Sequence, residues 1–239
     1  AIAEAGAHCQ QYPSLAGEPL VAALSERLGV SEEQIVVGGG SLAVLSQLLT
    51  AYTGPGTEVV FAWRSYEAYP ILVRTTGARD VTVPLGPDHG HDLLAMADAV
   101  TDATAAVILC SPNNPTGNVL DAGELAQALD RIPPRVLVVL DEAYLEFTDD
   151  AVSSSARSLA LLARHPNLVI LRTFSKAYGL AGLRAGYLVA HPEIAANVRV
   201  VSPPFGLNAV AQAAAVAALF DDASLTENVA TVREGRAAL

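Results

Sequence analysis

Lysine is nearly absent from this chain. Of its 14 basic residues, 13 are arginine, and Lys176 in "RTFSKAYGLAGLRAGY" (172–187) is the single lysine of 239 residues. Other scarcities set the bounds. The two cysteines, Cys9 and Cys110, have no metal-ligand spacing, and Cys110 closes an apolar run, so a buried thiol in a reducing, cytoplasmic setting is expected. Apolar runs such as "VLVVL" (136–140) fall far short of the ~20 residues a membrane span needs. The opening "AIAEAGAHCQQ" has neither a basic start nor an apolar stretch. A formal net charge of −11 argues against nucleic acid and anionic membranes as partners. It leaves small anionic ligands open, because one local cation suffices to bind them.

What is present is a globular composition, 51% hydrophobic and 16% charged. Short Val-, Ile- and Leu-rich runs at 35–37, 58–63, 80–85, 105–110, 135–140, 167–173 and 185–190 read as strands buried on both faces. Helical patterns fall between them near 18–28, 41–52, 65–76, 92–100, 121–130 and 155–164, with Asp121 and Glu124 forming a helix-start pair. The alternation predicts an α/β fold, a three-layer arrangement with a mostly parallel sheet flanked by helices. "PPFG" (203–206) interrupts it before an alanine-rich helix near 207–219 and another near 222–239. Residues 1–204 are therefore expected to form a large domain, and 205–239 a helical connection into a second, small one. The start without Met and the end within a helical pattern lead us to expect that both ends are cut.

Three successive strands end in polar sequence: "SPNNPTGN" after "AAVILC", "DEAYLEF" after "RVLVVL", and "TFSKAYG" after "NLVILR". Ligands of open α/β sheets bind at such carboxyl ends. Singly, each has a plain reading as a turn, a helix cap or a solvated lysine. Together they place an amide (Asn113/Asn114), a carboxylate (Asp141) and an amine (Lys176) along one sheet edge. An amine can lose its proton and condense with an aldehyde, which a guanidinium cannot do. A carboxylate can hold a ring nitrogen protonated. That pairing suits pyridoxal phosphate. The glycine turn "GGGSLAVL" opens a helix whose free N–H groups favour an anion, and Arg184 offers a bidentate contact to a phosphate. "WRSYEAYP" brings Trp63, Tyr66 and Tyr69 to a fourth strand end, where a ring could stack on a cofactor or simply fill the core. "DHGH" (88–91) has a chelate's look but no further ligands, and reads as a solvated turn.

In order and spacing, "SPNNPTGN", "DEAYLEF" and "RTFSKAYGLAGLRAGY" closely resemble the histidinol-phosphate aminotransferases, class I/II aminotransferases with the fold-type I pyridoxal-phosphate architecture. The resemblance implies that Lys176 holds the cofactor covalently and later moves the substrate's proton. Asp141 would pair with the pyridine nitrogen, Asn114 and Tyr144 with the phenolic oxygen, and Tyr66 would stack on the ring. Ser41 and Leu42 (through backbone N–H), Thr173, Ser175 and Arg184 would bind the phosphate. Tyr12 in "QYP" would reach the partner subunit's cofactor, which implies a homodimer with shared sites. The substrate implied is imidazole-acetol phosphate, with glutamate as amino donor. An aromatic aminotransferase, a decarboxylase of the same fold and a non-catalytic cofactor-fold module are the alternatives. Leu42 departs from the acidic residue common after the glycine turn. The arginine that grips a substrate carboxylate is expected to lie outside this chain.

Overall fold

The computed structural model describes residues 1–238, with seven strands and ten α-helices among them. Two compact units divide the chain: residues 45–171 form one, and residues 1–44 with 172–239 the other.

The 45–171 unit is built on parallel strands β2 (Glu58–Trp63), β3 (Arg79–Pro84), β4 (Thr104–Cys110), β5 (Leu137–Asp141) and β6 (Leu168–Thr173), the last crossing into the other unit after Leu171. β4 pairs with both β2 and β5, β5 with β6, and β3 with β2, all in parallel. The carboxyl ends of β2, β4 and β5 therefore lie along one edge. Val59 to Ala62, Val107 to Leu109 and the whole of β5 are buried, as expected of strands covered on both faces. β3 differs from that expectation. It pairs on one side only, and Arg79, Thr82 and Pro84 are exposed; a proline is compatible with an edge because the ladder there asks for no N–H. The flanking helices are α4 (Ala68–Thr75), α5 (Leu93–Asp98), α6 (Ala122–Arg131) and α7 (Ala151–Arg164). Asp121 caps α6 as its spacing predicted, accepting from the N–H groups of Gly123 (2.8 Å) and Glu124 (3.0 Å).

In the other unit, β1 (Ile35–Gly38) and β7 (Gly186–Ala190) pair antiparallel, so the alternating pattern does not extend to every strand. Helices α1 (Ile2–Gly6), α2 (Glu18–Leu28), α9 (Ala209–Leu219) and α10 (Asp222–Ala237) belong here, with the first turn of α3 (Ser41–Tyr52). α8 (Pro192–Val201) has no counterpart among the expected helices. Pro192 at its first turn and the spacing of buried Ile194, Ala195 and Val198 mark it in retrospect. No described helix is long and apolar enough to cross a membrane.

Candidate active site

The unit formed by 1–44 and 172–239 holds a candidate anion cradle beside the lysine loop. α3 begins on Ser41, directly after Gly38–Gly40, and the first N–H groups of a helix have no intrahelical partner. Two glycines make the cradle narrow. A Cβ on Gly40, whose φ is +94°, would lie 2.5 Å from Nη2 of Arg184. A Cβ on Gly186 would lie 2.2 Å from the backbone nitrogen of Ser41. The glycine turn is thus pressed against β7 on one side and the Arg184 guanidinium on the other. Arg184 takes a left-handed backbone (φ 62°) and donates from Nη1 to Ser175 Oγ (3.1 Å) and the Ala181 carbonyl (2.9 Å). A fixed cation, a hydroxyl and a helix start therefore meet within one side chain's reach, a donor set that fits a phosphate monoester.

Lys176 sits exposed in a loop tied at its base. Phe174 N–H donates to the Ala185 carbonyl (3.0 Å), Leu180 N–H to the Phe174 carbonyl (3.0 Å), and Asn228 Nδ2 to the Ala177 carbonyl (2.9 Å). The Thr173 hydroxyl also serves the loop. It donates to the Ala185 carbonyl (3.3 Å) and accepts from Ser175 N–H (3.1 Å). Leu42 is half-buried in the first turn of α3. Tyr12 is 84% exposed, its ring 5.0 Å from that of Phe205.

The 45–171 unit carries the carboxylate. Asp141 ends β5 and is only 5% exposed. Its Oδ2 accepts from the Tyr69 hydroxyl (2.7 Å), and its Oδ1 from Ala143 N–H (3.1 Å). Tyr69 is fully buried; that burial, and then the Asp141 charge, push its phenol well above the usual 10. Burial likewise raises the Cys110 thiol to about 12, so it is an inert core residue, as expected. Asn114 and Tyr144 come together, Nδ2 donating to Oη at 3.4 Å. The Tyr66 ring stands edge-on to Tyr69, 5.6 Å between centroids.

A buried clamp holds the loops after β2 and β4. Asn113 Nδ2 donates to the Arg64 carbonyl (3.2 Å) and to Thr116 Oγ1 (2.9 Å), which orients the amide. Its Oδ1 then accepts from Ser65 Oγ (2.7 Å) and faces His91 Nε2 (3.1 Å). Because Oδ1 can only accept, Nε2 carries the proton. The solvated-turn reading of "DHGH" is corrected here: His89 is exposed, but His91 is buried, and its Nδ1 has no hydrogen-bond partner. Burial lowers its pKa despite the opposing Asn113 bond. No group of three or more potential metal ligands exists among the described residues. Ser65, Gly186 and the hydroxyl of Tyr69 have no individual signal in the sequence, and that of His91 points to a solvated turn. Asn113, Ser65 and Tyr69 are marked by their places in strand-end motifs.

The fold and these half-sites define a chain of the aminotransferase type. The model for "Aminotransferase class I and II" matches residues 2–239, and the chain belongs to that family. It is 50% identical over 218 residues to an aromatic amino acid aminotransferase of Streptomyces coelicolor, covering 91% of this chain and 60% of that protein. It is 50% identical over 235 residues to one of Thermobifida fusca, covering 98% and 65%. Among solved structures, histidinol-phosphate aminotransferase from Sinorhizobium meliloti in complex with pyridoxal-5'-phosphate matches with a TM-score of 0.90 at 33% identity, covering 98% of this chain and 63% of that one. The chain thus spans 60 to 65% of the length of these relatives.

Proposed function

We propose that the protein containing this chain is a pyridoxal-phosphate-dependent aminotransferase acting on aromatic amino acids and keto acids. The motifs alone put histidinol phosphate first. The curated relatives at 50% identity carry the aromatic name, against 33% for the histidinol-phosphate structure, and this reverses the order. One observation carries the cofactor assignment: the single lysine lies in the loop braced by Arg184, whose guanidinium packs against the glycine turn that opens α3.

When bound, the cofactor supplies an aldehyde for capture and a ring that takes up an electron pair. The residues supply the rest. Arg184, Ser175, Thr173 and the N–H groups of Ser41 and Leu42 would hold the phosphate. Lys176 would supply the capturing amine and carry a proton at Nζ. Asp141 would keep the proton on the ring nitrogen. Asn114 and Tyr144 would donate to the phenolic oxygen, and Tyr66 would cover a ring face and exclude water. Lys176 follows Leu171, the register partner of Asp141, by five residues. Tyr12 would act in a homodimer, on the partner subunit's cofactor.

The test is covalent capture. Purified protein is incubated with pyridoxal phosphate, reduced with borohydride and mapped by mass spectrometry. The label is expected on the peptide containing Lys176, with visible absorbance lost in Lys176→Arg. A label elsewhere would overturn the assignment. With the whole protein, amino transfer to phenylpyruvate is expected to exceed transfer to imidazole-acetol phosphate. The opposite order would favour histidinol phosphate, and carbon dioxide release a decarboxylase.

A further inference from the structure

We infer that Tyr69 is a positioning residue for Asp141, setting how strongly that carboxylate holds a ring nitrogen in its charged form. The inference rests on the reading of Asp141 as the ring-nitrogen partner. As a core aromatic Tyr69 would need no hydroxyl. Its ring packs edge-on against Phe61 (6.0 Å between centroids) and Tyr66 (5.6 Å), a role phenylalanine could fill. A hydroxyl in a fully buried position costs stability unless it is bonded. Here it is bonded, at 2.7 Å, to the carboxylate of the candidate site.

The chemistry has a direction. The phenol stays protonated because burial and the neighbouring charge both oppose its ionisation. Tyr69 is therefore a permanent donor to Oδ2, and the bond is charge-assisted. Such a donor spreads the carboxylate's charge and lowers its basicity. A less basic Asp141 leaves the shared proton on the ring nitrogen and does not draw it onto oxygen. The same bond fixes the carboxylate's rotation, with Ala143 N–H holding Oδ1 (3.1 Å). Tyr69 N–H also donates to the Tyr66 carbonyl (3.0 Å), so one turn carries both the ring-stacking candidate and the tether on Asp141.

The experiment compares two cofactors by binding alone. Affinities are measured for pyridoxal phosphate and for a deaza analogue with carbon in place of the ring nitrogen. Wild type, Tyr69→Phe and Asp141→Asn are compared, with far-UV circular dichroism as the check on folding. Tyr69→Phe is expected to reduce the preference for pyridoxal phosphate about tenfold while leaving the analogue's affinity unchanged. An equal loss for both ligands, or none, overturns the inference. If Asp141→Asn also leaves the preference unchanged, the reading of Asp141 itself has failed. If only Tyr69→Phe leaves it unchanged, the role of Tyr69 alone has failed. Should Tyr69→Phe not fold, a ring-fluorinated tyrosine at 69, a stronger donor, replaces it. It is expected to shift the cofactor's ring-nitrogen ¹⁵N resonance towards the protonated position, and an unmoved resonance overturns the inference.

Discussion

Gly186→Ala perturbs the cradle by a single methyl group. The new Cβ would lie 2.2 Å from Ser41 N, 2.6 Å from the Gly40 carbonyl carbon and 2.9 Å from Ser41 Cα. All three are backbone atoms, so no side chain can swing away. Ordinary contact begins near 3.4 Å, and the α3 start must retreat by roughly 1 Å. Overpacking of this kind costs about 1–3 kcal/mol. The stiffer unfolded chain returns about 0.4–1 kcal/mol. The net is a loss of roughly 1.3 kcal/mol, or about 3–5 °C in Tm for a chain of this length. The retreat also moves the N–H groups of Ser41 and Leu42 away from the phosphate position, so pyridoxal phosphate affinity should fall at least about tenfold. Gly54→Ala is the control, since its Cβ meets nothing within 4 Å. Scanning calorimetry and a cofactor titration read both quantities. A Gly186→Ala protein with the control's Tm and affinity would falsify the cradle's geometry.

Two further outcomes follow from burial. The lowered pKa of His91 means that the folded state binds fewer protons than the unfolded state once pH falls below its ordinary value of 6.5. Stability is therefore full above that pH and declines as pH drops through and below it. Urea melts from pH 5 to 8 should show this slope in wild type and a shallower one in His91→Gln; equal slopes refute the assignment. Native protein at pH 8 should label with a thiol reagent at exposed Cys9 only, and at both cysteines in denaturant, because the Cys110 thiol is buried and raised to about 12. Native labelling of Cys110 contradicts its burial.

Much of the 45–171 unit was legible because its signals are local. A continuous apolar run marks a strand covered on both faces, and Asp121 before an amphipathic turn marks a helix start. The strand-end motifs were legible for a related reason. Asn114 stands four residues beyond an apolar run, Lys176 five beyond another, and Asp141 directly follows a third; parallel pairing brings the ends of β4 and β5 to one edge. α8 was less legible because apolar Ala196, Val200 and Val201 occupy exposed positions and blur the periodicity of buried Ile194, Ala195 and Val198. The antiparallel pairing of β1 with β7 was not legible, since residues about 150 apart decide it. His91 shows the limit most plainly. In sequence it is one of two histidines in a glycine-containing turn; only folding carries it against Asn113.

By itself, the sequence determined the fold class and the residue types that stand at the strand ends. Backbone periodicity and covalent order are sufficient for these. Tertiary structure alone decided which groups touch. It placed the Tyr69 hydroxyl on Asp141, gave His91 its tautomer through Asn113, and made Gly40 and Gly186 necessary by bringing Arg184 and Ser41 against them. Hydrogen bonds and close contacts act over about 3 Å. Residues 72 apart, as Tyr69 and Asp141 are, acquire such a separation only when the chain between them has packed.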